Sequence, residues 1–129
     1  MTLEEIRHQC DERDYLKLEC DGQTRVLHYV LDYHKVPHRV KQGCVEMADD
    51  NYFEPHFWIE LEVDGETYIV DYRARMWLGE EAPHGVFKPS DHPEATYEGC
   101  DCVMPVSDAL FNILVTTGSG TFAELEKKL

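Results

Sequence analysis

The sequence predicts an α+β domain in which one central helix packs on an antiparallel sheet. Three observations carry this expectation. Val26, Leu27, Val30 and Leu31 recur at helical spacing. Phe57, Ile59, Leu61 and Val63 alternate with Trp58, Glu60 and Glu62, the pattern of a strand with one face buried. Asp64-Gly65 then marks a tight hairpin, and Tyr68-Ile69-Val70 reads as the return strand. The 129 residues contain no repeat, low-complexity tract or linker, so a single domain over 1–129 is expected, large enough for a real core.

The elements follow in order. Thr2 with Glu5 three residues on forms a capping box, which opens a short helix to about Gln9. The charged run Asp11 to Asp14 breaks it. The central helix runs from about Asp21 to His34 and ends before Pro37, because the residue preceding a proline avoids the helical region. Arg39 to Met47 reads as a strand, with Gly43 permitting a bend or bulge. Ala48 to Pro55 is expected as a polar loop, followed by the hairpin. Beyond Asp71, Pro83, Pro89 and Pro93 space out a long irregular stretch. Ser107 caps a helix to Val115, Gly118 to Gly120 break it, and Thr121 with Glu124 caps a last helix.

Composition narrows the functional classes. With 26 acidic against 12 basic residues, the formal net charge is −14. Such a surface repels phosphate backbones and anionic membranes, so neither nucleic acid nor membrane is an expected partner. No run reaches transmembrane length, and Met1 to Glu5 lacks the apolar segment of a secretory leader. The five cysteines, Cys10, Cys20, Cys44, Cys100 and Cys102, form no disulfide framework and suit a reducing, cytoplasmic setting.

The chemistry concentrates between Cys20 and Asp71. If Asp64-Gly65 is a two-residue turn, Val63 pairs with Glu66 and the register runs back to place Trp58 opposite Asp71. His56 then shares a face with Trp58 and lies diagonal to Asp71, within reach of a hydrogen bond. Cys20 precedes the central helix, whose N-terminus favours a thiolate. A cysteine nucleophile needs a thiolate, a proton shuttle and an orienting carboxylate, and Cys20, His56 and Asp71 supply these types in order.

Several segments resemble the transglutaminase-like cysteine superfamily, whose relatives include papain-like proteases. Val36-Pro37-His38-Arg39 resembles the Gly-Ile-Pro-Ala-Arg type segment that follows the nucleophile helix, and Arg39 lies nineteen residues beyond Cys20. His56-Phe57-Trp58-Ile59-Glu60 resembles the family's His-Ala-Trp-hydrophobic-Glu strand, and Tyr68-Ile69-Val70-Asp71 its hydrophobic-Asp ending. The resemblance covers under half the chain. It implies a transglutaminase-like or papain-like fold with Cys20 as nucleophile, His56 as general base and acid, and Asp71 as orienting residue. It also implies thiol acyl transfer on amides, whether as peptidase, deamidase or crosslinking enzyme.

Two departures stand out. The family's Gly-x-Cys is replaced by Leu18-Glu19-Cys20, and a shift of four residues would put Thr24 in the nucleophile position. Glu19 beside the thiol opposes thiolate formation unless it points away. The sequence places no oxyanion-hole side chain, and the backbone N–H of Cys20 is one candidate donor.

Trp58 is expected to wall the site, and Arg73 to meet a substrate carboxylate or else pair with neighbouring acids. Trp77 and the segment Pro83 to Phe87 are expected at a lid or rim. No cofactor is expected, since no phosphate-binding loop is visible. No metal set is expected either: Cys100-Asp101-Cys102 lacks a second pair, Asp49-Asp50-Asn51 lacks a calcium-loop pattern, and His28 and His34 read as surface or packing residues. His84 and His92 lack a partner at meaningful spacing. The expected partner is a protein or peptide substrate, and the sequence does not speak to oligomeric state. Two rivals remain: a transglutaminase-like binding or assembly module without catalysis, and an acidic inhibitor mimicking nucleic acid.

Overall fold

The computed structural model describes residues 1–119. Four helices and a five-stranded antiparallel sheet make up this part of the chain, a mixed α+β fold. Helix α1 spans Leu3–Asp11, and the hydroxyl of Thr2 accepts from the Glu5 N–H at 3.2 Å. Helix α2 spans Cys20–Tyr33. Strands β1 (His38–Met47), β2 (Tyr52–Val63) and β3 (Glu66–Asp71) form a continuous meander. Helix α3 (Ala74–Leu78), strand β4 (Gly85–Phe87), a 3-10 turn (Pro89–Asp91), strand β5 (Ala95–Asp101) and helix α4 (Asp108–Gly118) complete the order. The strands lie in the order β4-β3-β2-β1-β5.

The hairpin register is the one expected. Val63 pairs with Glu66, and the ladder runs back to Ile59 opposite Val70. Positive φ at Asp64 (53°) and Gly65 (77°) is the geometry that favours this dipeptide in a two-residue turn. On β1, the pairing with β2 slips between Gly43 and Val45, the irregularity that Gly43 suggested.

Each face of the sheet carries its own core. On one, Ile6 and Cys10 from α1 and Leu27 and Leu31 from α2 meet Val40, Ile59, Leu61 and Val70. Each fully buried Leu or Ile stabilises this layer by about 1.5–3 kcal/mol. On the other, Val45, Trp58, Ile69 and Phe87 meet Ala74, Leu78 and Ala82 from α3 and its exit loop.

The structure departs from expectation in three places. Strand β2 begins at Tyr52, so the segment expected as the end of a loop is sheet. The chain after Asp71, expected to be irregular, contains α3, β4 and β5. Cys100 and Asp101 therefore lie on an edge strand paired with β1, not in a loop. Helix α4 runs to Gly118, with the Ser107 hydroxyl accepting from the Leu110 N–H at 3.1 Å. The last helix, expected from Thr121, lies outside the described residues.

Candidate active site

The site is built around Asp71, the last residue of β3. Its carboxylate is buried, and four donors converge on it. Oδ1 accepts from the backbone N–H groups of Arg73 (2.9 Å) and Ala74 (3.0 Å), which capture the chain as it turns into α3. Oδ2 accepts from His56 Nε2 at 2.7 Å and from the Tyr97 hydroxyl at 2.8 Å. Burial and the Asp71 charge push the Tyr97 phenol far above its ordinary range, so it stays protonated and donates.

His56 sits four residues into β2 and is 1% exposed. Because Nε2 donates to Asp71, Nδ1 is the nitrogen left for chemistry, and it is buried without a hydrogen-bond partner. A buried polar atom left unpaired is costly and calls for a reason. The imidazole is flanked by Trp58, stacked at 6.0 Å between ring centroids, and by Phe53, edge-on at 5.9 Å. Burial works to lower its pKa. Hydrogen bonding to Asp71, interaction with the Cys20 thiol and the charges of both more than offset this and raise it to about 9. Cys20 thus lies near enough to act on the ring both through its charge and through a thiol–imidazole contact, one that falls short of full hydrogen-bond geometry.

Cys20 is the first residue of α2, 7% exposed. The Gln23 N–H bonds to the Glu19 carbonyl at 2.9 Å. The N–H groups of Cys20, Asp21 and Gly22 precede the first intrahelical bond, so they present donors and a positive dipole end beside the sulfur. Glu19 is exposed and makes no capping hydrogen bond. The thiol that acts on His56 belongs to Cys20; Thr24 is buried one helical turn further on.

Arg73 explains why Cys20 arrives there. Its guanidinium is buried and fully committed inside the protein. Nε donates to the Leu18 carbonyl (2.6 Å). Nη1 donates to Asp14 Oδ1 (2.8 Å) and the Tyr72 carbonyl (2.6 Å). Nη2 donates to the carbonyls of Asp14 (3.0 Å) and Leu16 (2.6 Å) and to Gln23 Oε1 (3.1 Å). Arg73 was expected to meet a substrate carboxylate. Instead, its bonds clamp the segment that delivers Cys20 onto the end of β3, leaving no donor directed outward. Of the two readings of Arg73, the pairing with a neighbouring acid, Asp14, is the one present.

Trp58 is 3% exposed and stands behind His56, edge-on to Tyr97 at 5.1 Å. It supports the imidazole from within. The outer rim is aromatic as well: Phe53 stacks on Trp77 at 4.5 Å with rings 5° from parallel, and Trp77 is 43% exposed. The expected alternatives fall elsewhere. His84 pairs with Asp14 Oδ2 at 2.8 Å, and His92 with Glu94 at 3.1 Å. Burial pushes the Cys10 thiol up to about 12, which makes it a packing residue.

Sequence reasoning missed Tyr97 and Phe53. The Thr96-Tyr97 pair is a strand signal, but three nearby prolines obscured it. Phe53 was masked by the polar loop assigned around it. Comparison with known proteins finds no matching family model, no matching curated protein and no matching solved structure.

Proposed function

We propose that this chain is a cysteine-dependent acyl-transfer enzyme acting on amides, with a transglutaminase-like or papain-like arrangement of Cys20, His56 and Asp71. One observation carries the reading. The buried imidazole of His56 gives one nitrogen to a four-donor carboxylate and leaves the other unpartnered on the side of a helix-terminal thiol. His84 also leaves its Nδ1 unpartnered beside an aspartate-bound Nε2, but only His56 is fully buried and lies close enough to a thiol for that thiol to act on its charge.

In this reading, His56 Nδ1 accepts the proton of Cys20, forming a thiolate–imidazolium pair. The thiolate attacks the carbonyl carbon of an amide, and N–H groups at the start of α2 face the developing oxyanion. His56 returns its proton to the leaving amine as the C–N bond breaks, which leaves a thioester on Cys20. Water or a second amine, deprotonated by His56, then displaces the sulfur. Asp71 holds the ring and balances its charge throughout. The exposed Trp77 and its partner Phe53 suit a peptide or protein substrate with an apolar side chain near the reacting amide. The free thiols fit a reducing compartment such as the cytoplasm.

The test is to trap the acyl-enzyme. The full chain is mixed with a panel of glutamine-containing peptides and peptidyl vinyl sulfones, quenched in acid and read by intact-protein mass spectrometry. An adduct on Cys20 that is lost in Cys20→Ala and falls sharply in His56→Ala supports the assignment. Adducts that persist in Cys20→Ala, or no adduct with any probe, would leave a binding module as the better description.

A further inference from the structure

We propose that His28, Asp32 and His38 form a binding site for a divalent transition-metal ion of the Zn2+ type, at the corner where α2 hands over to β1. The site is separate from the proposed active site. His28 and Asp32 lie eight and twelve residues along α2 from Cys20, or about 12 and 18 Å along the helix axis.

His28 and Asp32 stand four apart on α2, so their side chains share one face of the helix. His38 opens β1 directly after the turn at Pro37. One ligand atom from each of the three lies within 4.8 Å of the other two. Among the described residues, this is the one group of His, Cys, Asp or Glu side chains with that property. His28 reads from sequence as a surface or packing residue, because only the fold brings His38 beside it.

The orientation of His38 is the second observation. Its Nδ1 donates to the Val36 carbonyl at 2.7 Å, which places the lone pair of the neutral ring on Nε2. That is the support a metal-binding histidine ordinarily has: one nitrogen fixed by a carbonyl, the other presenting its lone pair. Nε2 accepts a hydrogen bond from His28 Nδ1 at 2.6 Å, whose proton an incoming ion would replace. Asp32 brings one oxygen to 3.8 Å from His38 Nε2 and the other to 3.6 Å from His28 Nε2. Metal–nitrogen bonds of ~2.0–2.1 Å in a tetrahedral site put ligand atoms roughly 3.3 Å apart. The Asp32 Oδ1 contact with His38 Nε2 lies near this, whereas the 3.6 Å contact of Asp32 Oδ2 is with His28 Nε2, the ring nitrogen other than the one facing His38, and only one nitrogen of a ring ligates a given ion. His28 Nδ1 and His38 Nε2 reach it by opening about 0.7 Å, and the same turn of the partly exposed His28 ring has to bring its one ligating nitrogen towards Asp32.

Two nitrogens and one carboxylate oxygen match the preference of Zn2+ and its neighbours, and are too few oxygens for calcium or magnesium. His28 and His38 line an open cavity of about 340 Å³, bounded also by Arg39, Asp101 and Met104. The Arg39 charge there is paired with Asp101 at 3.7 Å, so it does not stand as a lone cation against an incoming ion. Cys102 lines the same cavity with its thiol towards the Val103 carbonyl at 3.8 Å, and it is not assigned as a ligand. A bound ion would tie the C-terminal half of α2 to the first residue of β1.

The test uses the full chain, stripped with chelator and titrated with Co2+, whose visible absorption reports a tetrahedral site. The expected result is one equivalent of Co2+ with visible bands, displaced by Zn2+, and no sulfur-to-cobalt charge-transfer band. Binding should weaken in His28→Gln and in His38→Gln by no less than the roughly 10–100-fold that loss of an outer-shell partner costs. It should persist in Cys20→Ala and Cys102→Ser, which separates this site from the thiols. His38 is the more buried ligand, so Asp32→Asn, exposed on the helix, provides a variant with little risk to folding, and circular dichroism checks each protein. An absence of visible bands at millimolar Co2+ would overturn the proposal. So would binding that survives in both His28→Gln and Asp32→Asn, or a charge-transfer band that assigns the ion to sulfur.

Discussion

Asp71→Asn is the most informative single substitution, because the geometry makes an asparagine unsatisfiable at this position. Four donors meet the carboxylate, two on each oxygen. An asparagine has one oxygen and one NH2 group. With its oxygen towards Arg73 and Ala74, the NH2 confronts the donors of His56 and Tyr97. Turned over, it confronts the two backbone N–H groups of Arg73 and Ala74. Either way, two buried donors lose their partner, at about 1–3 kcal/mol each. The variant should therefore be destabilised by roughly 2–6 kcal/mol, read from the urea midpoint at unchanged slope. Reversal of the His56 tautomer would relieve part of the penalty, but would put the hydrogen on Nδ1 and prevent that atom from accepting the thiol proton. Cys20 alkylation at neutral pH should slow in parallel. A loss below about 1 kcal/mol together with unchanged Cys20 reactivity would refute the reasoning.

Two further predictions follow from the same geometry. The pKa of His56 is raised from 6.5 to about 9, so its contribution to stability is fully present below pH 6.5 and is lost as pH rises through 9. The stability gap between wild type and His56→Gln should shrink by about 3 kcal/mol between pH 6 and pH 10; a gap independent of pH would count against a charged imidazole. Gly99 faces Gly43 across the β1–β5 pair, and a Cβ there would lie 2.4 Å from the Gln42 carbonyl oxygen and 2.8 Å from Trp58. Gly99→Ala should cost roughly 1–3 kcal/mol in chemical denaturation and loosen β5, which carries Tyr97. A thermal midpoint equal to wild type would show that the strands tolerate the methyl group.

The parts of this fold that were legible in the sequence are those whose signal is local. The α2 stripe, the alternation along β2 and the Asp64-Gly65 turn depend on neighbours within a few residues. Through the turn, they set the His56–Asp71 register. What stayed hidden depends on pairing across long separations. Tyr52 to Pro55 reads as a loop because it is polar and contains proline, yet Phe53 pairs with Val45 and Tyr52 with Glu46 on β1. Strand β5 has little apolar alternation, because most of its side chains are exposed at the sheet edge; only its ladder with β1 defines it. Arg73 reads as a free cation two residues past Asp71. Its role is set by carbonyls more than fifty residues earlier in the chain, which no spacing rule reveals. The candidate site is accordingly legible in its three principal residues and silent on the groups that hold them, Tyr97 and Arg73 above all.

The central claim is that Cys20 and His56 act as one chemical unit. It is tested most directly by the pH dependence of alkylation at each cysteine, resolved by mass spectrometry, in wild type and in His56→Ala. The account predicts that Cys20 is the fastest of the five thiols near neutral pH and loses that advantage in His56→Ala. A Cys20 that reacts like an ordinary or buried thiol, indifferent to His56, would contradict it.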